Sequence, residues 1–541
     1  MHRAKRNLKH IWTNPWVLFL LGVSLFVAAP LLVLLPELFN RGGEVWQHIL
    51  LNLVPGYVIN TFWLFLVVGF ATFVIGTGTA WLVTMYKFPG SRHFTWALIL
   101  PLAVPVYING FAWAGLLSFT SPVYVWLREN FGIETGPFLF FEILSLEGAM
   151  FILSATLYPY VFLISRSWFL RQSRSYSEVS ASLGRGPVAT FFLVVLPLAR
   201  PAIVAGVSLV LMEVLNEYGL MRYFSIETFT TGIFTAWFAF SDREAAMRLS
   251  ALLMIFVFAL IFLERYQRRS MLFNQYGSHF VPYTVVKLRG IKAIASSVVC
   301  VIPVLAGFIL PVAMLVWWSI STFYQELDAA FAVLVKNTFL LSATAALVVV
   351  VVALLVAIAV RFKPYKFTRF FAKISTLGYS IPGAVVAIGL ITVLLWVQNQ
   401  ISGIVQILIM GTWVSLIFAY LVRFMAVAYN GIDSALSNIS TSIDESSRSL
   451  GKSYWQTLKE VLLPLLKRPV GVGMLLVFID VVKELPITLI LRPFNFDTLA
   501  IRAFEFATDE RLAEAAPYAL VVILVGLLPV VFLHKITPKG S

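Results

Sequence analysis

Residues that build disulfides and resident metal sites are scarce in this sequence. Cys300 is the single cysteine among 541 residues, and it lies in an apolar run. One cysteine excludes an internal disulfide framework and a cysteine metal site. The six histidines are scattered and lack metal-ligand spacing: His2, His10, His48, His93, His279 and His534. We therefore expect no resident metal ion in this chain.

Charged residues are also scarce, at 12% of the sequence, whereas hydrophobic residues make up 60%. A soluble protein of this length needs far more polar surface, so the composition indicates a polytopic membrane protein. The formal net charge is +14. In a membrane protein such an excess marks cytoplasmic loops more often than nucleic-acid binding. We therefore expect the chain to lie in a lipid bilayer and not to bind nucleic acid.

A nucleotide-binding loop is missing, although the stretch DESSRSLGKSYW at 444–455 contains Gly-Lys-Ser. The phosphate-binding loop needs another glycine five residues before the Gly-Lys pair, and it should follow a buried strand. Ser446 occupies that position, and no β-branched run precedes it. We therefore expect the chain itself to bind neither ATP nor another cofactor.

Long apolar runs are abundant instead. A run of about twenty apolar residues spans a bilayer. Such runs occur in two sets of six, near 15–36, 59–85, 94–118, 148–169, 201–222 and 246–264, then near 295–320, 337–360, 376–397, 404–426, 469–491 and 515–535. The first run follows a basic stretch but is too long for a signal-peptide core, so we predict a retained helix. Lys and Arg concentrate in the predicted inner loops, which places both termini in the cytoplasm.

The two halves of the sequence repeat each other. The segment SEVSASLGRGPVATFFLVVLPLARPA at 177–202 aligns with DESSRSLGKSYWQTLKEVLLPLLKRP at 444–469, with the numbering shifted by 267. Earlier, NTFWL at 60–64 matches NTFLL at 337–341, with the numbering shifted by 277. We place the ten additional residues of the first half in the acidic outer loop at 119–147. Six spans is an even number, so the two repeats are predicted to be parallel.

Each repeat carries a segment of about thirty residues between its fourth and fifth spans, which is longer than a connector needs. We name these the first inner segment (171–200) and the second inner segment (438–468). Each begins as a short predicted helix with a glutamate near its positive end. A glycine that can adopt positive φ ends the helix, and a Leu-Pro pair begins a new element. An amphipathic helix lying on the inner membrane surface is the alternative interpretation.

Both inner segments share one spacing: Glu, two small residues, three more, Gly, nine more, an aliphatic residue, one more, then Leu-Pro. This pattern resembles the signature loop of bacterial ABC importer permeases, although Glu-Val-Ser and Glu-Ser-Ser replace the usual Glu-Ala-Ala. The fused twelve-span arrangement is most like the ferric-iron transport permeases. The resemblance implies an all-α polytopic membrane protein of the type I ABC importer permease fold, with two parallel six-helix repeats.

In that family the loop forms a coupling helix that docks on a separate ATPase subunit. The residues that match the docking motif are Glu178, Leu183, Gly184, Glu445, Leu450 and Gly451. The resemblance also implies two copies of a cytoplasmic ABC ATPase, which bind ATP and Mg, and a periplasmic substrate-binding protein. The chain itself would be a bacterial inner-membrane subunit without a catalytic site.

The repeat and the resemblance together predict the domain organisation. The first permease half would cover 1–270, with its coupling loop at 171–200. A cytoplasmic linker would cover 271–293. The second permease half would cover 294–541, with its coupling loop at 438–468.

The fifth span of each half carries acids where hydrocarbon is expected. These acids are Glu213, Glu217, Asp480 and Glu484. An ionised carboxylate at a helix centre costs about 2–3.5 kcal/mol on insertion scales, so each should face protein or water. The i, i+4 spacing puts both acids of a pair on one helix face. Hard Fe³⁺ prefers oxygen ligands, which leads to the hypothesis of a transient acidic relay for ferric ion.

Other interpretations of these polar residues stay open. The acids could pair with Arg222, Lys483 or Arg492, or they could cap broken helices. Further oxygen ligands could come from Tyr107, Tyr158 and Tyr160, although membrane tyrosines more often pack or lie at the interface. A substrate-delivering protein could contact outer residues that are otherwise solvated, namely Asp242, Arg243, Asp509, Glu510 and Arg511.

Other functions also stay open at this stage. The same architecture could import thiamine, a polyamine or an aminophosphonate, and a cationic substrate would suit the acidic spans as well as iron does. A gradient-driven secondary transporter can have six-plus-six parallel repeats, but it does not need a long docking loop in each half. A membrane enzyme needs a convergent set of catalytic groups, and the sequence suggests none.

Overall fold

The computed structural model describes residues 14–40, 42–118, 121–132, 142–171, 184, 186–269, 286–326, 328–400 and 411–536. Regular structure in these ranges is helical, apart from a pair of two-residue parallel strands. The strands are β1 (Tyr86–Lys87) and β2 (Val286–Lys287), and Leu288 N–H donates to the Lys87 carbonyl at 2.9 Å. The sheet thus joins the loop after the second span to the residues that precede the seventh.

The helices of the first half follow in chain order. They are α1 (Pro15–Leu32), α2 (Glu44–His48), α3 (Val54–Met85), α4 (Ser91–Ala97), α5 (Val106–Leu116), α6 (Pro122–Phe131), α7 (Leu146–Leu170), α8 (Pro187–Thr190), α9 (Leu196–Asn216), α10 (Gly219–Tyr223), α11 (Phe229–Phe234) and α12 (Arg243–Arg269). Short 3₁₀ or π turns lie between several of them, at Leu35–Leu38, Ile49–Leu53, Leu100–Ala103, Phe191–Val195 and Thr235–Ala239.

The helices of the second half continue the numbering. They are α13 (Ile291–Val304), α14 (Leu310–Glu326), α15 (Ala329–Phe362), α16 (Lys366–Ser375), α17 (Gly383–Gln400), α18 (Trp413–Ser437), α19 (Thr441–Ser449), α20 (Tyr454–Thr457), α21 (Leu463–Lys483), α22 (Pro486–Leu491), α23 (Leu499–Thr508) and α24 (Leu512–Ile536). The short turns here lie at Leu305–Ile309, Leu377–Ser380 and Leu458–Leu462.

The helix boundaries confirm the internal repeat. Helices α7 and α18 begin at equivalent positions, Leu146 and Trp413, under the same shift that aligns the inner segments, and α9 and α21 are equivalent at both ends. Helices α5 and α17 begin at Val106 and Gly383, which follows the larger shift of the earlier part of the repeat. The ten additional residues of the first half therefore lie between α5 and α7, within the predicted outer loop.

The predicted set of spans is confirmed in number. Among the described residues, 11 helices are long and apolar enough to cross a membrane. A bent pair, Ser91–Ala103 with Val106–Leu116, makes a twelfth span if it is counted as one, and its two parts meet at 92°. The bend falls at Pro105, and Val104 before it is extended with ψ 118, because a residue that precedes proline avoids the helical region.

The fifth spans differ from the sequence prediction. They run over Phe191–Asn216 and Tyr454–Lys483, so each begins and ends earlier than the predicted 201–222 and 469–491. Each span begins within its inner segment and ends at a helix break that the apolar pattern does not reveal. The part of each inner segment that precedes the fifth span is therefore shorter than predicted.

The first compact unit contains residues 1–43, 233–252 and 327–501. In it, α1 packs on α16 and α17, although α1 belongs to the other sequence half. The approach is close, because a Cβ atom added at Gly389 would lie 2.0 Å from the Pro30 carbonyl oxygen. Only glycine therefore fits at this crossing. The first span of one repeat thus packs against helices of the other.

The second compact unit contains residues 44–232, 253–326 and 502–541. Helices α3 and α7 form its most extensive contact, and α14 packs against α24. A Cβ atom added at Gly307 would lie 2.2 Å from the Ala155 carbonyl oxygen. The compact units therefore cross the predicted boundary between sequence halves, and that boundary stays a prediction about the duplication.

Candidate functional site

The second inner segment is described over its whole length. Ser440 caps α19 by accepting a hydrogen bond from Ser442 N–H at 3.3 Å. Asp444 lies in the first turn, where a negative charge suits the positive end of a helix. Gly451 follows the helix with φ 85°, and its N–H donates to the Arg448 carbonyl at 2.9 Å. The predicted glycine terminus is confirmed.

The helix α19 has one buried edge and one exposed face. Asp444 and Ser447 are buried, whereas Glu445 is exposed. Leu450 is 81% exposed, which is unusual for a large aliphatic residue next to a packed helix. The predicted docking residues Glu445, Leu450 and Gly451 therefore all lie on the accessible side of this segment.

Arg361, at the end of α15, holds the buried edge of α19. Its guanidinium contacts both Asp444 carboxylate oxygens, at 2.6 and 3.2 Å. It also donates to the carbonyls of Leu436, Ile439 and Ser440, at 2.6, 3.1 and 3.1 Å. Both side chains of the ion pair are nearly buried, with 8% and 12% exposure. One side chain therefore joins α15, the end of α18 and α19, and it pairs carbonyls that a helix end leaves free.

An aromatic cluster supports the middle of the second inner segment, after α19. Trp16 of α1 contacts Trp455 and Phe362 with ring centroids 5.4 and 5.6 Å apart. Tyr454 packs on Phe362 at 4.8 Å, and the Arg448 guanidinium lies 4.3 Å from the Tyr454 ring centre. These contacts connect the segment to α1 and α15. Sequence analysis missed them because their partners are far apart along the chain.

The Gly-Lys-Ser tripeptide has a structural role in this segment. Gly451 ends α19, and Lys452 Nζ pairs with a Glu460 carboxylate oxygen at 2.6 Å. Ser453 begins α20 with a capping box, in which its side chain and that of Gln456 each pair with the other residue's N–H, at 3.3 and 2.8 Å. All three residues therefore serve the turn between two short helices.

The first inner segment is described only in part. Glu178 and Leu183 lie outside the described residues. Gly184 is described, and its φ of 73° matches the positive φ of Gly451. Helix α8 and the π turn that follows it occupy positions equivalent to those of α20 and its π turn. The predicted docking residues of this segment stay a prediction.

A helix break follows the fifth span in both repeats, and a glutamate stands at each break. Glu217 follows α9 and Glu484 follows α21, both with extended backbone at ψ 112° and 127°. Glu217 Oε1 accepts a hydrogen bond from Leu220 N–H at 2.9 Å, and Glu484 Oε1 accepts one from Ile487 N–H at 3.0 Å. Each carboxylate therefore caps the next short helix, as the alternative interpretation of the sequence allowed.

The surroundings of Glu484 carry more hydrogen bonds and a buried cation. Its other oxygen, Oε2, accepts from the Thr488 N–H at 3.1 Å and from the Thr488 hydroxyl at 2.9 Å. The buried Arg423 guanidinium attracts this carboxylate and donates to the Ile381 carbonyl. A Cβ atom added at Gly383 would lie 2.9 Å from Glu484 Oε1, so the carboxylate is tightly enclosed.

The equivalent place in the second compact unit is neutral. Thr156 stands where Arg423 does in the other repeat, and its hydroxyl accepts a hydrogen bond from the Asn109 amide at 2.5 Å. Both side chains are buried. The two helix breaks therefore share a backbone conformation and a glutamate cap, but the position of the buried Arg423 is occupied by an uncharged residue in the other repeat. Sequence analysis missed Arg423, although a lone arginine within a predicted span is a signal that could have identified it.

The second acid of each pair lies one helical turn earlier. Glu213 in α9 and Asp480 in α21 are both partly buried. The pair Glu213 and Glu217 belongs to the second compact unit, and the pair Asp480 and Glu484 belongs to the first. In the described ranges, no three His, Cys, Asp or Glu side chains gather closely enough to hold a metal ion. The transient relay stays a prediction.

The remaining candidate residues take varied positions. Tyr107 and Tyr158 are buried, and Tyr160 is partly buried. Arg492 forms an ion pair with Asp497. Asp242 caps α12 through Ala245 N–H at 2.9 Å.

Arg511 and Arg502 each place a guanidinium on Phe506, at 4.6 and 4.4 Å from the ring centre. Arg511 also pairs with Glu514. Some polar residues where α23 is followed by α24 therefore make defined contacts, and others are exposed.

Comparison with known proteins identifies relatives across the chain. A family profile described as the binding-protein-dependent transport system inner membrane component matches residues 349–539. The chain is 29% identical over 486 residues to the Fe(3+)-transport system permease protein FbpB 2 of Haemophilus influenzae, covering 88% of this chain and 89% of that protein.

Relatives named for sulfate transport match shorter parts of the chain. The protein named probable sulfate transport system permease protein cysT of Chlorokybus atmophyticus is 30% identical over 221 residues, covering 39% of this chain and 71% of that protein. The sulfate permease CysT of Escherichia coli is 29% identical over 206 residues, covering 38% and 71%. Of these three relatives, the one that extends over both repeats is named for Fe(3+) transport.

Proposed function

Because the chain belongs to the family of binding-protein-dependent transport system inner membrane components, we propose that it is the permease subunit of an ATP-driven importer of ferric iron. The substrate assignment rests on how much of this chain aligns with each relative. The relative named for Fe(3+) transport aligns with 88% of this chain, whereas the sulfate permeases align with 38–39%. An alignment through both repeats is what a fused permease of the same kind requires.

The partners follow from the family and from the inner segments. A periplasmic binding protein would deliver the substrate, and two copies of a cytoplasmic ATPase would bind ATP and Mg and dock on the two inner segments. The exposed face with Glu445 and Leu450 offers a charge and an apolar anchor to such a subunit. The chain itself needs no bound cofactor in this scheme.

The contacts of Arg361 would couple movement of the docked ATPase to movement of the membrane helices. A pull on α19 is transmitted to α15 and to the end of α18, because one buried guanidinium bonds to all three. Trp16 connects the same segment to α1. ATP binding and hydrolysis would then shift the helix bundle between two arrangements, which requires that the ATPases bind those arrangements with different affinity.

The substrate path would pass the helix breaks. Fe³⁺ would be held briefly by carboxylate oxygens of Glu213, Glu217, Asp480 and Glu484, because a hard cation prefers such ligands. Passage also needs release, so each contact should be weak. Glu217 and Glu484 already accept backbone hydrogen bonds, which reduces the charge they offer to an ion and favours a transient contact.

The location would be the bacterial inner membrane, with many spans and both termini in the cytoplasm. The inner-membrane family and the apolar helices support this location. Lys and Arg in the loops predicted to face inward support the orientation.

Uptake of radioactive ferric iron into proteoliposomes tests the proposal. The vesicles would contain the full chain with the ATPase and binding protein encoded beside it, and sulfate, thiamine and putrescine would be offered in parallel. We expect ATP-dependent iron uptake that the double variant Glu178→Arg with Glu445→Arg abolishes.

Two outcomes would count against parts of the proposal. ATP-dependent uptake of another substrate without iron would overturn the substrate, and uptake in the absence of the ATPase would overturn the coupling. The double variant Glu44→Arg with Glu129→Arg is the matched control, because it makes the same charge change at two exposed glutamates outside the inner segments.

A further inference from the structure

Five exposed cations are gathered in the second compact unit, where the second span ends and the seventh begins. The short parallel sheet joins these two places, because β1 follows α3 and β2 lies just before α13. The Ser297 hydroxyl in α13 also donates to the Pro89 carbonyl at 2.9 Å, and α13 packs on α4. We name these cations the basic cluster: Lys87, Arg92, Lys287, Arg289 and Lys292.

The charge of the basic cluster is uncompensated within the described part of the chain. The register of the sheet pairs Lys87 with Lys287. Register partners in neighbouring strands lie about 5 Å apart and point to the same face, so two like charges meet there, which is destabilising by itself. None of the five cations forms an ion pair with another described residue. Sequence neighbours supply no counter-charge either, because residues 45–128 and 265–325 contain no Asp or Glu.

The basic cluster lies beside a surface that faces hydrocarbon. Helix α13 begins the seventh span, and four of its exposed apolar side chains follow one another along one face. They are Ile291, Ile294, Val298 and Ile302, with 82%, 63%, 49% and 58% exposure. Lys and Arg at the ends of spans concentrate on the cytoplasmic side. The cations are therefore at the level of the inner lipid headgroups, and the apolar face extends from them into the membrane.

We propose that the basic cluster binds an anionic phospholipid of the inner leaflet. The lipid phosphate accepts charge-assisted hydrogen bonds from Lys87 and Lys287, which offsets the repulsion between them. Arg92, Arg289 and Lys292 add positive potential around the headgroup. An acyl chain lies along the apolar face of α13. Phosphatidylglycerol and cardiolipin both provide this phosphate with a net negative charge, whereas phosphatidylethanolamine and phosphatidylcholine carry a cation that the basic cluster repels.

The other repeat lacks the paired lysines and provides a matched control. Pro364 stands at the position equivalent to Lys87, and proline has no N–H to donate to a sheet. Exposed cations do occur nearby in α16, at Lys366 and Arg369, and Arg369 is equivalent to Arg92. The double variant Lys366→Gln with Arg369→Gln therefore makes the same charge change on the same predicted side of the membrane, outside the basic cluster.

Native mass spectrometry of the full chain in detergent tests the binding. Phosphatidylglycerol, cardiolipin, phosphatidylethanolamine and phosphatidylcholine with identical acyl chains would be titrated separately. We expect both anionic lipids to bind more tightly than both zwitterionic lipids. Lys87→Gln with Lys287→Gln should weaken the binding of phosphatidylglycerol about twenty-five-fold, because each cation near the headgroups contributes about fivefold. The control in α16 should leave it nearly unchanged.

Thermal unfolding in detergent gives a second readout, which a merely structural role of the two lysines would move in the opposite direction. Without lipid, Lys87→Gln with Lys287→Gln should unfold at no lower a temperature than the unaltered chain, because the variant removes a like-charge pair. Phosphatidylglycerol should then raise the unfolding temperature of the unaltered chain more than that of the variant. A variant that unfolds earlier without lipid and gains as much from the lipid would contradict the proposal.

The contrary binding results are equally definite. Equal binding of anionic and zwitterionic lipids, or equal effects of the two double variants, would show a general attraction and overturn the proposal. Displacement of the lipid by an equal concentration of inorganic phosphate would assign the basic cluster to a soluble anion. If the lysine variant binds lipid normally but fails to assemble with the ATPase, the cations belong to a protein interface and the proposal is wrong.

Discussion

The two helix breaks have the same backbone and the same glutamate cap, but they differ in what surrounds the carboxylate. Glu484 faces buried Arg423 and accepts three hydrogen bonds from Ile487 and Thr488. The break at Glu217 has the neutral pair Thr156 and Asn109 at the equivalent place. Both copies therefore keep the glutamate cap, which the broken backbone needs. The buried arginine beside the cap is a separate feature that only the second copy has.

The inner segments differ in a similar way. Arg361 and Asp444 form a buried ion pair in the second copy. The positions equivalent to them in the first copy are Thr84 and Ser177, which cannot form an ion pair. Duplication has thus kept a glycine with positive φ in both segments, whereas the residues that form this anchor occur only in the second copy. Four predictions test how much these differences contribute.

The largest expected effect is at the buried cation. Arg423→Met should lower the free energy of unfolding by about 3–5 kcal/mol, because Glu484 would stay buried without its compensating charge. Thr156→Val at the equivalent place should cost about 1 kcal/mol, since it removes one neutral hydrogen bond. Chemical unfolding in detergent measures both. If the two costs are equal, Arg423 does not compensate Glu484.

Arg361→Ala should have the next largest effect. It removes a buried ion pair and three carbonyl contacts, so we expect a loss of about 2–3 kcal/mol and faster proteolysis within α19. Thr84→Ala is the matched control in the other repeat and should change neither measurement by more than about 0.5 kcal/mol. Rescue of the proteolysis rate by Arg361→Lys would argue that charge alone, and not the multiple contacts, holds the segment.

The glutamate caps give a graded effect. Glu484→Ala should cost about 2–3 kcal/mol, because it removes three hydrogen bonds and the counter-charge of Arg423, which keeps its hydrogen bond to the Ile381 carbonyl. Glu217→Ala should cost about 1 kcal/mol, because it removes a helix cap alone. The Gln variants keep an acceptor oxygen and should recover part of each loss. Parallel unfolding curves provide the measurement, and a larger cost at Glu217 than at Glu484 would contradict the ordering.

The smallest effect is expected at the glycine that ends α19. Gly451→Ala should cost about 1 kcal/mol, because alanine is strained at a φ of 85°. Gly184→Ala should cost the same, since its φ of 73° lies in the same region. Gly431→Ala is the control, as Gly431 lies within α18 and the change should be neutral or favourable. A cost at Gly451 no greater than at Gly431 would show that the turn tolerates a side chain.

The sequence could predict what local patterns encode. Apolar runs identified the spans, and the repeated Glu-to-Leu-Pro spacing identified the inner segments. The positive φ of Gly184 and of Gly451 follows from residue chemistry alone. The ends of the fifth spans could not be predicted, because Glu217 and Glu484 are equally compatible with buried acids inside a longer helix.

Contacts between residues that are distant along the chain also could not be predicted from the sequence. Arg361 and Asp444 are 83 residues apart, and the packing of Trp16 on Trp455 joins the first span to the second inner segment. Neither pair has a local signature. The identity of Arg423 as the partner of Glu484 likewise depends on how α18 lies beside α21, which propensity and periodicity do not determine.

The close crossing of α1 and α17 has a consequence for how the protein is made. Pro30 and Gly389 are separated by most of the sequence, and translation proceeds at about 5–20 residues per second. Helix α1 must therefore remain in the membrane for roughly 20 to 70 s before its partner emerges from the ribosome. During that time its apolar face is open to lipid or to insertion chaperones, so the docking of α1 on α17 is a late, post-insertion step of biogenesis.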